Sequence, residues 1–277
     1  MTWLHVSQAL AVLRLELKKS FLSRRGLWIY LLALMPVALF TMHSVIQIVR
    51  GRPCDFGLDT TIFATVFQVF YLRLLVFFGC VGIFMNLFRG EVLDRSLHFY
   101  FLAPIRREVL LAGKFAAGLI AAVVIFTTST FLQFVGLYIH FDSVTMRDYL
   151  VHGHGLMHLA SYLGVTALAC LGYGSVFTVA GIRYRNPIVP AAVILVWEAI
   201  NGFLPALLQK FSVIYYLKSL CPLEISPDVP KFFQLLVVNA DPMPAVFAVP
   251  GLIIVSLVVL AAGAMQLRRT EINYAAD

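Results

Sequence analysis

Two charged residues stand inside long apolar runs, where ionisable groups most often do chemistry. Glu198 sits in Val196-Trp197-Glu198-Ala199-Ile200-Asn201-Gly202, and Arg73 in Phe70-Tyr71-Leu72-Arg73-Leu74-Leu75. A charge at the centre of a bilayer costs at least ~2.5 kcal/mol even on the lenient insertion scale, so both side chains should face protein or water. Two readings follow: Glu198 and Arg73 line a substrate pathway, or they form a buried ion pair that fixes helix packing. Other constellations are weaker. His140, His152, His154 and His158 cluster in one stretch, and His154 and His158 are four apart, which suits a divalent metal on one helical face. Gly153 and Gly155 loosen that stretch, and neither a nearby cysteine nor a rigid carboxylate completes a site, so no metal is expected. Cys80 and Cys170 lie in apolar runs; Cys54 and Cys221 lie in connecting segments and are the pair a disulfide could join in an oxidising compartment. There is no CxxC, and Ser175 in Gly172-Tyr173-Gly174-Ser175 lacks the G-x-S-x-G of a nucleophile elbow. Gly113-Lys114 lacks the upstream glycine and the following hydroxyl of a P-loop, so the chain has no ATP site of that kind. No catalytic set and no cofactor site is expected in this chain.

The elements that carry these residues follow from composition. With 61% hydrophobic and 13% charged residues in 277, the chain has too few charges to cover a water-facing surface. An all-α membrane protein is expected, with six transmembrane helices at about 27–48, 68–88, 115–139, 158–182, 188–208 and 245–267, each long enough for a bilayer core. Residues 1–26 form a separate unit. Trp3, Val6, Leu10, Leu13, Leu17 and Phe21 recur every three or four residues, and Gln8, Arg14, Glu16, Lys18 and Lys19 fill the other face. That pattern predicts an amphipathic elbow helix in the lipid headgroups. Pro36 predicts a kink in the first span.

Lys and Arg set the direction. With the N-terminus inside, fourteen of the 21 fall on inside segments, six on outside ones, and Arg73 within a span. Both termini are therefore expected in the cytoplasm, and the net charge of +7 reads as loop charge, not as nucleic-acid binding. Of the two long connections, 209–244 lies outside and holds five prolines around an apolar run, Phe232 to Val238. It reads as a re-entrant or interfacial cap.

The other long connection is the inside loop. It runs Phe88-Arg89-Gly90-Glu91-Val92-Leu93-Asp94-Arg95-Ser96-Leu97-His98-Phe99-Tyr100-Phe101-Leu102-Ala103-Pro104-Ile105-Arg106-Arg107-Glu108, and on to Gly113-Lys114. Glu91, Asp94 and Arg95 offer ion pairs and the aromatic run an apolar anchor, a mixture typical of interface hot spots. The loop could also lie on lipid headgroups. A span ending near an acidic residue, a short helix, a Pro-x-Arg-Arg turn and a Gly-Lys opening the third span resemble the permease subunits of ABC type-2 exporters. The elbow helix and six-span order agree with that resemblance. It implies a transport subunit of the cell inner (plasma) membrane, not an enzyme, paired with a second permease copy or homologue. It also implies a separate ATP-binding cassette ATPase that carries the ATP and Mg and docks on 89–105. In that reading Glu91, Asp94, Arg95, Phe99, Phe101, Pro104, Arg106 and Arg107 form the coupling site. An intramembrane lipid-modifying enzyme would need clustered nucleophiles, acids or metal ligands, and a secondary transporter more spans and coupling carboxylates. The chain offers one Glu and one Arg within its spans, thin support for either, and both stand as alternatives. The substrate is not legible.

Overall fold

The computed structural model describes residues 2–22, 26–51, 55–88, 106–184, 186–223, 225 and 243–269. Among them every regular element is helical. In chain order these are α1 (Thr2–Leu22), α2 (Leu27–Arg50), α3 (Phe56–Thr65), a π-helical segment (Val66–Val76), α4 (Phe77–Phe84), α5 (Arg107–Tyr138), α6 (Ser143–Val151) and α7 (Gly155–Arg183). Then come α8 (Ile188–Ile200), a 3₁₀ turn (Asn201–Phe203), α9 (Ala206–Gln209), α10 (Val213–Leu220) and α11 (Ala245–Arg269).

Five helical stretches are long and apolar enough to cross a membrane: 27–50, 56–88, 107–138, 155–183 and 245–268. The second begins twelve residues earlier than its hydropathy suggested. Asp55 starts it, its carboxylate accepting from the Gly57 and Leu58 amides as an N-cap does, but the polar residues Asp59, Thr60 and Thr61 dilute the apolar signal there. The fifth expected span, 188–208, is not one continuous helix. α8 stops at Ile200 after 13 residues, about 20 Å of rise against the ~30 Å of a hydrocarbon core. Asn201 and Gly202 are poor helix formers and Pro205 lacks an amide donor. The buried Asn201 amide instead donates to the Gln209 carbonyl at 3.2 Å, closing a compact turn. α2 runs on through Pro36 as a single helix.

α5 is the central post. Ser129 donates to the Ala33 carbonyl and Ser44 lies 2.7 Å from the Gly136 and Leu137 carbonyls, so small residues let α2 and α5 meet backbone to backbone. α7 packs on α5 as well and on the end of the second span, where a Cβ on Gly181 would lie 2.9 Å from the Met85 Cα. Between these helices stands an aromatic column in which Phe63, Phe67 and Tyr162 meet edge-on at ring distances of 5.0 and 4.7 Å. α2 and α11 turn much of their surface outward, with Leu31, Val45, Val246 and Leu257 exposed, as lipid-facing helices do.

α1 departs from its expected orientation in one respect. Val6, Leu10 and Leu15 are exposed, whereas Val12 and the charged Glu16 are buried. The side carrying Ala9, Val12 and Glu16 packs on α5, where a Cβ on Gly113 would sit 3.0 Å from both the Ala9 carbonyl oxygen and the Val12 Cβ.

Candidate functional site

Three polar groupings interrupt the apolar body. The first lies at the root of the charged loop. Lys114 is fully buried, and its Nζ donates to Glu16 Oε1 at 2.6 Å and to the Leu87 carbonyl at 3.1 Å. It also stands 5.6 Å from the centre of the Phe88 ring, within cation–π range. One ammonium thus joins α1, the end of the second span and the start of the third. Arg107 extends the network: its Nη1 donates to the Leu267 and Arg268 carbonyls at 2.9 and 3.0 Å, satisfying acceptors at the C-terminal end of α11 that have no partner within the helix. Arg268 in turn pairs with Glu108. Arg106 is exposed and extended just before α5. Of the coupling candidates, Glu91, Asp94, Arg95, Phe99, Phe101 and Pro104 lie outside the described residues.

The second grouping holds Glu198 and Arg73, both buried. Glu198 accepts from Ser212 Oγ at 2.7 Å and from the Val213 and Ile214 amides at 2.9 and 3.0 Å. It therefore caps α10, giving that short helix the anionic N-terminus its dipole favours. The two charges stand close enough to interact, but Arg73 is not among the hydrogen-bond partners of Glu198. Arg73 lies in the π-helical segment, a winding that often marks function. On an α-helix Gln68 and Arg73 would point apart; the wider winding turns both toward a recess lined also by Val69, Leu72, Ile214, Lys218, Cys221 and Ile225. Gln68 Nε2 donates to the Leu223 carbonyl at 2.7 Å, holding the segment after α10 against the recess.

The third grouping was missed in the sequence. At the opposite end of the bundle from Lys114, the buried carboxylate of Asp59 lies 3.3 Å from His43 Nε2 and 3.0 Å from His140 Nε2. His140 Nδ1 is 2.7 Å from the Leu137 carbonyl, which can only accept, so Nδ1 carries a hydrogen and Nε2 is the nitrogen turned to Asp59. The cluster ties α2, α3 and the end of α5 together. Its members are 16 and 81 positions apart in sequence, so no spacing rule links them. The expected histidine pair does less: His154 is exposed, and His158 meets the Tyr149 hydroxyl at 3.0 Å. Among the described residues no group of three or more His, Cys, Asp or Glu is placed to hold a metal. Cys221 is a free thiol bonded to the Leu217 carbonyl at 3.4 Å; Cys54 lies outside the described residues.

No known protein family matches the chain, and no curated protein resembles it significantly. The five long apolar helices and their packing make it a multi-pass helical membrane protein.

Proposed function

We propose that this chain is the membrane subunit of an ATP-driven exporter of the ABC type-2 kind, resident in the cell inner (plasma) membrane with both termini cytoplasmic. Two permease subunits, identical or homologous, enclose the pathway, and separate ATPase subunits bound to loop 89–105 supply ATP, Mg and force. The short helix α8 and the broken turn after it serve as the sixth crossing.

The observation that carries this reading is the lacing at the loop's two ends. Residue 88 leads into the loop beside the Leu87 carbonyl that Lys114 holds, and residue 106 leaves it beside Arg107, which is tied to the end of α11. A displacement of the loop therefore acts on α1, on the second, third and last spans, and on the α1–α5 seam at Gly113. A permease without a nucleotide site must take up work from a partner at points tied to its spans. Buried ion pairs suit the role because they hold one register.

The test is affinity purification of the tagged full chain from its source membranes in mild detergent. A P-loop ATPase without spans of its own should co-elute, with ATP hydrolysis in the eluate. The double variant Glu91→Lys, Asp94→Lys should lose both while keeping its unfolding temperature. A wild-type chain that elutes without ATPase or hydrolysis, even after cross-linking in the membrane, would refute the reading.

A further inference from the structure

The second span and α7 run side by side in the same direction. Near their outer ends Phe67 meets Tyr162 at 4.7 Å between rings. Further in, a Cβ on Gly174 would lie 2.5 Å from the Phe84 ring, and one on Gly181 would lie 2.9 Å from the Met85 Cα. One turn before Phe84 stands Cys80, and one turn before Gly174 stands Cys170. Residues four apart share a helix face, so parallel helices that touch at one such pair face each other again one turn away. That register brings the two cysteines together, and their thiols lie within hydrogen-bonding reach of each other. Both are fully buried and both are free. Aromatic rings close the neighbourhood, with Phe77 against Tyr173 and Phe177 at 5.3 and 5.0 Å. A single buried cysteine packs as a small apolar residue. Two that face each other across a seam between helices have a chemistry that neither has alone. A disulfide requires Cα atoms within about 7 Å, and small residues such as Gly174 and Gly181 let these backbones approach closely.

We propose that Cys80 and Cys170 form a redox-convertible pair, which hydrogen peroxide joins into a disulfide between the second and fourth spans. One thiol sulfur attacks a peroxide oxygen and the O–O bond breaks. That sulfur becomes a sulfenic acid, and the departing oxygen leaves as water with the thiol proton. The second sulfur then attacks the sulfenic sulfur, the S–S bond forms, and the sulfenic hydroxyl leaves with the second thiol proton as water. Two thiols and one hydrogen peroxide thus become one disulfide and two waters. The packing also selects the oxidant. Neither thiol has surface open to solvent, so bulky reagents such as maleimides or glutathione disulfide are held off. A neutral molecule little larger than water enters when the helices open locally. Juxtaposition makes the second step intramolecular, which traps the sulfenic acid before it is oxidised further. The product is uncharged, as an apolar surrounding demands.

The experiment treats the full chain in mild detergent with excess hydrogen peroxide and stops the reaction with catalase. The chain is then unfolded in the presence of a maleimide, and its cysteines are mapped by peptide mass spectrometry. The expected product is a peptide pair joined through Cys80 and Cys170 and released by a phosphine reductant. Maleimide alone, added to the folded protein, should leave both thiols unlabelled. Because the bond closes a long loop in the unfolded chain, the oxidised protein should unfold about 5 °C higher or more. Cys80→Ala and Cys170→Ala should each abolish both the link and the rise. If neither variant folds, the linked pair in the wild-type chain and its reversal by the phosphine carry the test. Peroxide that leaves both thiols free would overturn the proposal. So would sulfinic or sulfonic acid at either position in place of the link, or a link that forms only when the chain is unfolded before the peroxide is added.

Discussion

Replacing Lys114 by methionine removes the cation while keeping most of the side-chain volume. Glu16 then keeps a carboxylate 4% exposed with its 2.6 Å partner gone, and the Leu87 carbonyl loses a donor. Breaking one side of a buried pair costs about 3–5 kcal/mol, because the remaining charge is stranded. At about 2–4 °C per kcal/mol for a chain of this size, the unfolding temperature should fall by about 6–20 °C. Adding Glu16→Gln removes the stranded charge, so the double variant should be more stable than Lys114→Met alone and regain at least half of the loss. The assay is a double-mutant cycle in mild detergent, read by intrinsic fluorescence and by the onset of aggregation. Additive losses in the double variant, or an unfolding temperature for Lys114→Met within about 2 °C of wild type, would mean that the pair does not hold α1 to α5.

The outer cluster gives a second prediction. Asp59→Asn should destabilise the fold by about 2–4 kcal/mol, since both imidazoles lose their charged partner, and His43→Ala by less, because His43 is 32% exposed; thermal unfolding ranks them. Two glycines of α7 make a matched pair. Gly181→Ala meets the backbone of Met85 at 2.9–3.0 Å and should cost about 1–3 kcal/mol. Gly164→Ala has open space around its Cβ and should be neutral or stabilise by up to about 1 kcal/mol. Burial pushes the Cys221 thiol up to about 12 from an ordinary value of 9.0. The folded state thus keeps a proton that the unfolded chain releases, and this group's share of the stability is lost as pH rises from about 9 toward 12. Maleimide labelling of Cys221, followed by peptide mass spectrometry, should be slow at pH 7.5 and quicken toward pH 10 and above. Fast labelling at pH 7.5 in the folded protein would contradict the raised thiol of this half-buried residue.

The spans were legible wherever apolar length decided the matter. The 27–50, 155–183 and 245–268 stretches lie within a few residues of their expected bounds. Length misled where local chemistry overruled it. Asn201, Gly202 and Pro205 break the helix, yet the apolar run through them looked like one span. Asp55 caps a helix whose first turns carry Asp59 and two threonines, and these polar residues hid it. Long-range polar pairing was not legible. Lys114 and Glu16 are 98 positions apart, and Glu16 looked like part of a solvated face until the packing of Gly113 against Ala9 turned it inward. Glu198 and Arg73 stood out because charge is rare in apolar runs, and both are buried as that rarity implies. That Glu198 serves α10, leaving Arg73 to the recess, depends on a turn at 201–212 that hydropathy cannot resolve.

We propose above that work enters this chain from an ATPase through loop 89–105. It is tested most directly by reconstituting the chain with its co-purified ATPase in liposomes and measuring ATP hydrolysis with wild-type chain, with Lys114→Met and without the chain. The wild-type chain should change the hydrolysis rate by a clear multiple, and Lys114→Met, although inserted and still bound to the ATPase, should lose most of that change. Hydrolysis that is the same with wild type, with the variant and with empty liposomes would contradict it.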